Sequence, residues 1–179
     1  MFEHLRLKAG TWYARMHFRS AKDPIVHFND VLSSARNALI LLPETAQDDG
    51  AVTGVVEQLR QKFQTGSITL VSPRWSAAPF AGDQGSTLVT YSAEDLTMWF
   101  VPRMELLRKL KKSTFDVAID LNLGFSLPSA FLCRASQAPV RVSFTKPHAD
   151  EFYNFQVKAA PALSLQQAYT MLIKCMEMF

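Results

Sequence analysis

Short apolar runs alternating with helix-spaced apolar positions set the rhythm of this chain. Asn37-Ala-Leu-Ile-Leu-Leu-Pro43 has the pattern of a buried strand stopped by proline. Asp48 and Asp49 then open a stretch in which Val52, Val55, Val56, Leu59 and Phe63 recur at helix spacing, and Gly66 ends it. Ser67-Ile-Thr-Leu-Val-Ser72 and Thr87-Leu-Val-Thr-Tyr91 predict a second and a third strand. Residues 73–85 between them, rich in Pro, Gly, Ala and Ser, predict a loop or an irregular helix. Phe115-Asp-Val-Ala-Ile-Asp-Leu121 is the clearest strand, and Asn122-Leu-Gly124 turns it into a helix capped by Ser126 with Pro128 in its first turn. Val140–Phe144 predicts a fifth strand, Tyr153–Val157 a short sixth, and Leu165–Phe179 a closing helix.

Two segments are less regular. Residues Phe2–Phe18 alternate apolar and basic positions as an amphipathic helix would, with Gly10 interrupting the pattern. Ser92 with Asp95 resembles a cap for a helical stretch reaching Lys112, in which Pro102 forces a kink or a break. Strands alternating with helices predict an α/β fold: a Rossmann-like three-layer sandwich with a mostly parallel sheet of about five or six strands. One domain over residues 1–179 is expected, with residues 1–36 as a helical extension packed on it. Ligands of such sheets bind beyond the carboxyl ends of the strands, which singles out loops 44–50, 72–85 and 120–126.

Composition narrows the classes. With 48% hydrophobic and 20% charged residues the chain is an ordinary globular one, not a disordered one. A net charge of +3 is too mild to imply a nucleic-acid partner, but the charge is clustered. Arg6, Lys8, Arg15, Arg19 and Lys22 face only Glu3 in the first stretch, and a second basic run lies between Arg103 and Lys112. The first stretch also carries Phe2, Trp12, Tyr13 and Phe18, so it reads either as a helix packed on the sheet with a snorkelling basic face or as a surface for an anionic membrane or nucleic-acid backbone. At most peripheral membrane contact is expected. Cys133 and Cys175 lack zinc or CxxC spacing and read as reduced core thiols. Scattered N-terminal charges argue against a signal peptide, and the apolar run Ala38–Leu42 is too short to span a bilayer, so a soluble, cytoplasmic protein is expected.

Candidate chemistry is confined to loop polar groups. There is no GxGxxG, P-loop, GxSxG or HExxH motif, and His4, His17, His27 and His148 have no ligand spacing, so neither a metal nor a cofactor is expected. Asp48 and Asp49 sit where a helix begins: they can cap it, or one can act as a general base towards an acceptor hydroxyl. Capping lowers a carboxyl pKa and weakens it as a base. Asp120 and Asn122 follow the fourth strand and either face the crevice or tether the next loop. Lys146 and His148 can bind an anionic acceptor or simply be solvated.

The stretch Phe115-Asp-Val-Ala-Ile-Asp-Leu-Asn-Leu-Gly-Phe-Ser-Leu-Pro-Ser-Ala-Phe-Leu-Cys-Arg-Ala-Ser136, followed by Ala138-Pro-Val-Arg-Val-Ser-Phe144, resembles the ADP-heptose:lipopolysaccharide heptosyltransferase family, glycosyltransferase family 9. Members carry a strand of the type YDvviDlqg, a small-residue helix and a strand of the type rIGf. Lys146-Pro-His-Ala-Asp-Glu-Phe-Tyr-Asn154 resembles the family's next loop, and Leu39–Phe63 fits its opening unit. The resemblance covers residues 37–157. It implies the N-terminal, acceptor-side domain of a two-domain GT-B enzyme whose C-terminal domain holds the ADP-sugar. It also implies a base in the loop after the first strand, where Asp48-Asp49-Gly50 stands in place of the usual Gly-Asp, and acceptor contacts from Asp120, Asn122, Lys146 and His148.

Two functions follow from the resemblance. One is a stand-alone heptosyltransferase-like domain, without the donor-binding half and without transferase activity of its own, serving as a binding or assembly module. The other is the acceptor-binding half of a glycosyltransferase that moves a hexosyl or heptosyl group from a nucleotide-sugar to a lipopolysaccharide-type acceptor, completed by a partner protein or a C-terminal domain. A homodimer through Leu165, Ala168, Tyr169, Leu172, Ile173 and Met176 is an alternative use of residues expected to cover the sheet. A small-molecule or nucleotide binder, and a surface-binding protein acting through the basic N-terminal segment, are the remaining readings.

Overall fold

The apolar runs form one all-parallel sheet in the computed structural model, which describes residues 2–44, 49–82, 85–160 and 162–178. Its strands are β1 (Asn37–Leu41), β2 (Ser67–Pro73), β3 (Thr87–Tyr91), β4 (Val117–Asp120), β5 (Val140–Phe144) and β6 (Phe155–Val157), in the order β3-β2-β1-β4-β5-β6. All neighbouring pairs are parallel. The sheet is therefore Rossmann-like, and the strand order reverses between β1 and β4.

Alternation sends β1 and β4 side chains to two separate cores. Ala38, Ile40, Val117 and Ile119 join one core with α3 (Asp49–Lys62) and α6 (Leu165–Glu177). Leu39, Leu41 and Ala118 join the other with α4 (Met104–Leu110) and α5 (Leu127–Ala135). In α6, Ala168, Tyr169, Leu172, Ile173 and Met176 are buried against the first core, and the Tyr169 hydroxyl donates to the Leu121 carbonyl at 3.1 Å. Ser164 and Gln167 cap the helix reciprocally. Cys133 is buried within α5; desolvation, and then the charge of Asp120, push its thiol pKa well above the ordinary value.

The N-terminal segment runs from one side of the sheet to the other. α1 (Phe2–Phe18) packs on α5, and Phe18 meets Phe131 and Phe152. Asp23 then binds both Arg134 and Arg141, the latter at 2.7 Å. Beyond it α2 (Phe28–Ser34) reaches the opposite core, where Leu32 is buried and Phe28 meets Phe155.

Two segments depart from the sequence expectation. The stretch from Ser92 to Lys112 is not one kinked helix: the Ser92–Asp95 cap serves only a 3₁₀ turn, Leu96 bridges Pro102, and α4 starts at Met104. Pro102 supplies no N–H to a helix and disfavours helical backbone at Val101, while Phe100 takes a left-handed φ of 61°. In α1 most of the large apolar side chains do not face the protein; only Leu7 and Phe18 pack on its core. The helix buries Gly10, Thr11 and Ala14 instead. A Cβ on Gly10 would lie 2.0 Å from the Trp99 carbonyl oxygen, so this close approach requires glycine.

Candidate functional site

At the reversal point the loops after β1 and β4 diverge and leave a cleft of about 530 Å³. Two carboxylates among the described residues line it, Glu3 of α1 and Glu44. Glu44 follows Pro43 at the carboxyl end of β1 and is half-buried. Its Oε1 accepts a hydrogen bond from the Tyr91 hydroxyl at 2.9 Å and another from the Ser126 hydroxyl. Its backbone is fixed as firmly. The Glu44 N–H donates to Asn122 Oδ1 at 2.9 Å, and its carbonyl accepts from Trp75 Nε1 at 3.0 Å.

Trp75, Phe100 and Phe125 give the cleft aromatic walls, and Arg6 and Leu7 of α1 line it opposite the strand ends. Arg6 lies over the Phe100 ring at 4.6 Å from its centroid. No α6 side chain lines the cleft, so the closing helix does not fill it. Desolvation, with the charge and hydrogen bond of Glu44, drives the Tyr91 pKa far above its ordinary value, so Tyr91 stays protonated and donates to Glu44.

Three of the four binding residues expected from sequence come together behind Glu44. Asp120 is fully buried; its Oδ1 accepts from Asn122 Nδ2 at 2.7 Å and from the Asn122 N–H at 3.0 Å. Its Oδ2 accepts from Lys146 Nζ at 2.8 Å and from the Tyr153 hydroxyl. Lys146 also donates to the Asn122 carbonyl at 2.7 Å. Burial, and then the charge of Asp120, raise the Tyr153 pKa, so its proton stays in place. The group forms a relay of contacts, from Lys146 through Asp120 and Asn122 to the Glu44 backbone. It holds Glu44 in position rather than lining the cleft.

His148 stands apart. It has a left-handed φ of 63°, packs edge-on to Phe125 and lines a neighbouring cavity of about 350 Å³ with Arg15 and Trp12. Asp48 lies outside the described residues, and Asp49 is the first residue of α3. Glu44 falls inside one of the loops singled out from sequence, but the adjacent acid pair at the helix start drew the chemistry away from it. The available signal was its place as the first polar side chain after the buried run ending in Pro43. Among the described residues no cluster of three or more His, Cys, Asp or Glu is placed to hold a metal ion.

The sequence matches no protein-family model and no curated protein. Solved structures do match. The E. coli heptosyltransferase WaaC with ADP aligns with a TM-score of 0.56 at 15% identity, over 77% of this chain and 46% of that one. The glycosyl transferase family 9 structure from Veillonella parvula DSM 2008 aligns at 0.59 and 14% identity, over 79% and 41%. WaaC with ADP-2-deoxy-2-fluoro heptose aligns at 0.52 and 15% identity, over 77% and 47%. The chain has a heptosyltransferase-like fold. It spans less than half the length of each of these glycosyltransferases.

Within the heptosyltransferase-like fold, the recognisable sequence stretch Phe115–Ser136 builds β4, the loop after it and α5. Its conspicuous polar residues Asp120 and Asn122 are structural supports for a carboxylate contributed by the loop after β1.

Proposed function

We propose that this chain is a saccharide-binding domain of the glycosyltransferase type, whose cleft takes the acceptor sugar with Glu44 against one of its hydroxyls. The observation that carries the reading is the placement of Glu44 at the strand reversal, its carboxylate held by two hydrogen bonds and its backbone by two more, inside a cleft with aromatic walls. Carboxylates accept from sugar hydroxyls, and an indole ring held by its own N–H offers a flat apolar face to a pyranose. Trp75 has that arrangement.

α1 supplies an opposing wall from within the chain, which favours binding of a saccharide by this domain on its own. Transfer of a hexosyl or heptosyl group needs a second, nucleotide-sugar-binding half, as in the WaaC structures with ADP and an ADP-heptose analogue. In such an assembly Glu44, in the same loop after β1 as the base candidates Asp48 and Asp49 of the resemblance, is the base of this proposal. It would then take the proton of the acceptor hydroxyl as that oxygen attacks the anomeric carbon and the nucleoside diphosphate departs.

The test is titration of the full chain with heptose- and hexose-containing core oligosaccharides, followed by calorimetry. Binding that falls at least tenfold on Glu44→Gln and on Trp75→Ala supports the proposal. Equal affinity in both variants removes the cleft from it. Turnover of an ADP-sugar by the chain alone would show a complete transferase, contrary to the need for a second half.

A further inference from the structure

Apart from Leu7 and Phe18, the large apolar side chains of α1 face away from the protein. The helix turns its small residues inward, whereas Phe2, Leu5, Trp12, Tyr13 and Met16 are exposed by 47% to 84%. At 3.6 residues per turn these five fall within one arc of about 100° on the outward side. Met98 and Trp99 are exposed on the adjoining loop, whose backbone touches Arg6 and Gly10. An apolar surface of this extent marks a contact site.

The rim of the arc identifies the partner. On the same helical count Lys8 and Arg15 flank one side, with Arg19 in the turn that follows the helix, and Arg6 and His17 flank the other. The sole acid of α1, Glu3, lines the cleft instead. Arg15 is paired with Glu151, which leaves Lys8 and Arg19 as the cations exposed beside the stripe. We propose that the outward face of α1 lies in the plane of an anionic lipid bilayer, with the large side chains at the acyl boundary and Lys8 and Arg19 on headgroup phosphates.

Trp and Tyr favour that depth, and a basic rim round an apolar stripe is the signature of a helix lying on a membrane. No helix among the described residues is long and apolar enough to cross one. A second copy of the chain fits less well. Apposing two such faces sets Lys8 and Arg19 of each copy about one seam, where like charges repel. Because the inner edge of α1 also walls the cleft, docking would set the cleft mouth beside the headgroups, whatever the cleft binds.

The experiment is co-sedimentation of the full chain with vesicles of phosphatidylcholine, with and without about 30% phosphatidylglycerol. Binding to the anionic vesicles alone, weakened on raising salt to about 0.5 M, is expected. Trp12→Ala with Met16→Ala removes apolar insertion and Lys8→Glu with Arg19→Glu reverses the rim; each pair should cut vesicle binding by at least about tenfold. The two pairs act through different forces, so the misfolding of one leaves the other decisive. Failure to bind anionic vesicles overturns the proposal, as does wild-type binding by both variant pairs. A solution dimer lost on Trp12→Ala would assign the face to a second copy instead.

Discussion

The Ser126 hydroxyl donates to Glu44 Oε1 across the point where the strand order reverses. Ser126 Oγ in turn accepts the Ser129 N–H at 3.2 Å, so one side chain both caps α5 and orients the carboxylate of the loop after β1. One hydroxyl thus ties the carboxylate of the cleft to the helix that borders it.

Replacing Glu44 with alanine removes the acceptor of the buried Tyr91 O–H and leaves it only its contact with Ser129. A loss of about 1–3 kcal/mol is expected from such a group. Glu44→Gln retains an oxygen acceptor and should cost less than half as much. Urea unfolding of the two variants checks the order; equal losses would show that Tyr91 finds another partner.

The Asp120–Lys146 pair is buried, with side-chain exposures of 0% and 2%. Asp120→Asn leaves Lys146 without its counter-charge and is expected to cost about 3–5 kcal/mol. Lys146→Met should be similarly damaging, and the double substitution less so than the sum. A double-mutant cycle by denaturant unfolding measures this coupling, and strict additivity would mean that the pair is not coupled as its geometry requires.

Gly10 tests the seating of α1. A methyl group there collides with the Trp99 carbonyl and with Leu127, so Gly10→Ala should lift the helix and destabilise the fold by about 1–3 kcal/mol, despite alanine's better helix propensity. Gly124→Ala, with nothing within 4 Å of the added Cβ, should stay within about 0.5 kcal/mol of wild type. Thermal unfolding distinguishes the two; a stabilised Gly10→Ala would mean that α1 does not dock as described.

Asp23 should make stability pH-dependent at the acid end. Desolvation pushes its carboxyl pKa upward, but hydrogen bonds and charge from Arg134 and Arg141 outweigh it and hold the pKa below the ordinary value. A lowered folded-state pKa adds stability above the unfolded value of about 3.9, and that stability is lost as pH falls through the folded pKa. Unfolding of Asp23→Asn should therefore be less stable than wild type at neutral pH, with the gap closing below about pH 4. A gap that persists undiminished at lower pH would show that packing, not charge, dominates there.

Much of the fold was legible because buried parallel strands are nearly continuous apolar runs, as in Ala38–Leu42 and Val117–Leu121. The α6 positions Ala168, Tyr169, Leu172 and Ile173 were equally plain, since a helix covering a sheet keeps one apolar stripe. α1 was harder to orient. Its closest contact depends on small side chains at Gly10 and Ala14, so most of the large residues that normally mark an inner face point outward, Leu7 and Phe18 excepted. The region after Ser92 misled for another reason: a capping pair reports only a first turn, and the turn at Phe100 follows from backbone contacts to Thr97 that sequence spacing does not encode. At the site, the loops were correctly located by the sheet rule, but Asp120, Asn122 and Lys146 looked the same in sequence whether they meet a ligand or one another. Only the strand register, which sets Leu41 beside Asp120, brings Asn122 under the backbone of Glu44.

β1 occupies the middle of the sheet, yet its two neighbours come late: Ala38 pairs with Ile68 on one flank and with Val117 on the other. During synthesis the first of these contacts can form long before the second has left the ribosome. Until it does, one row of β1 peptide groups remains an open template for any extended chain nearby. Premature termination before Phe115 would leave that row open for good, so such truncated products should aggregate rather than persist as smaller stable domains.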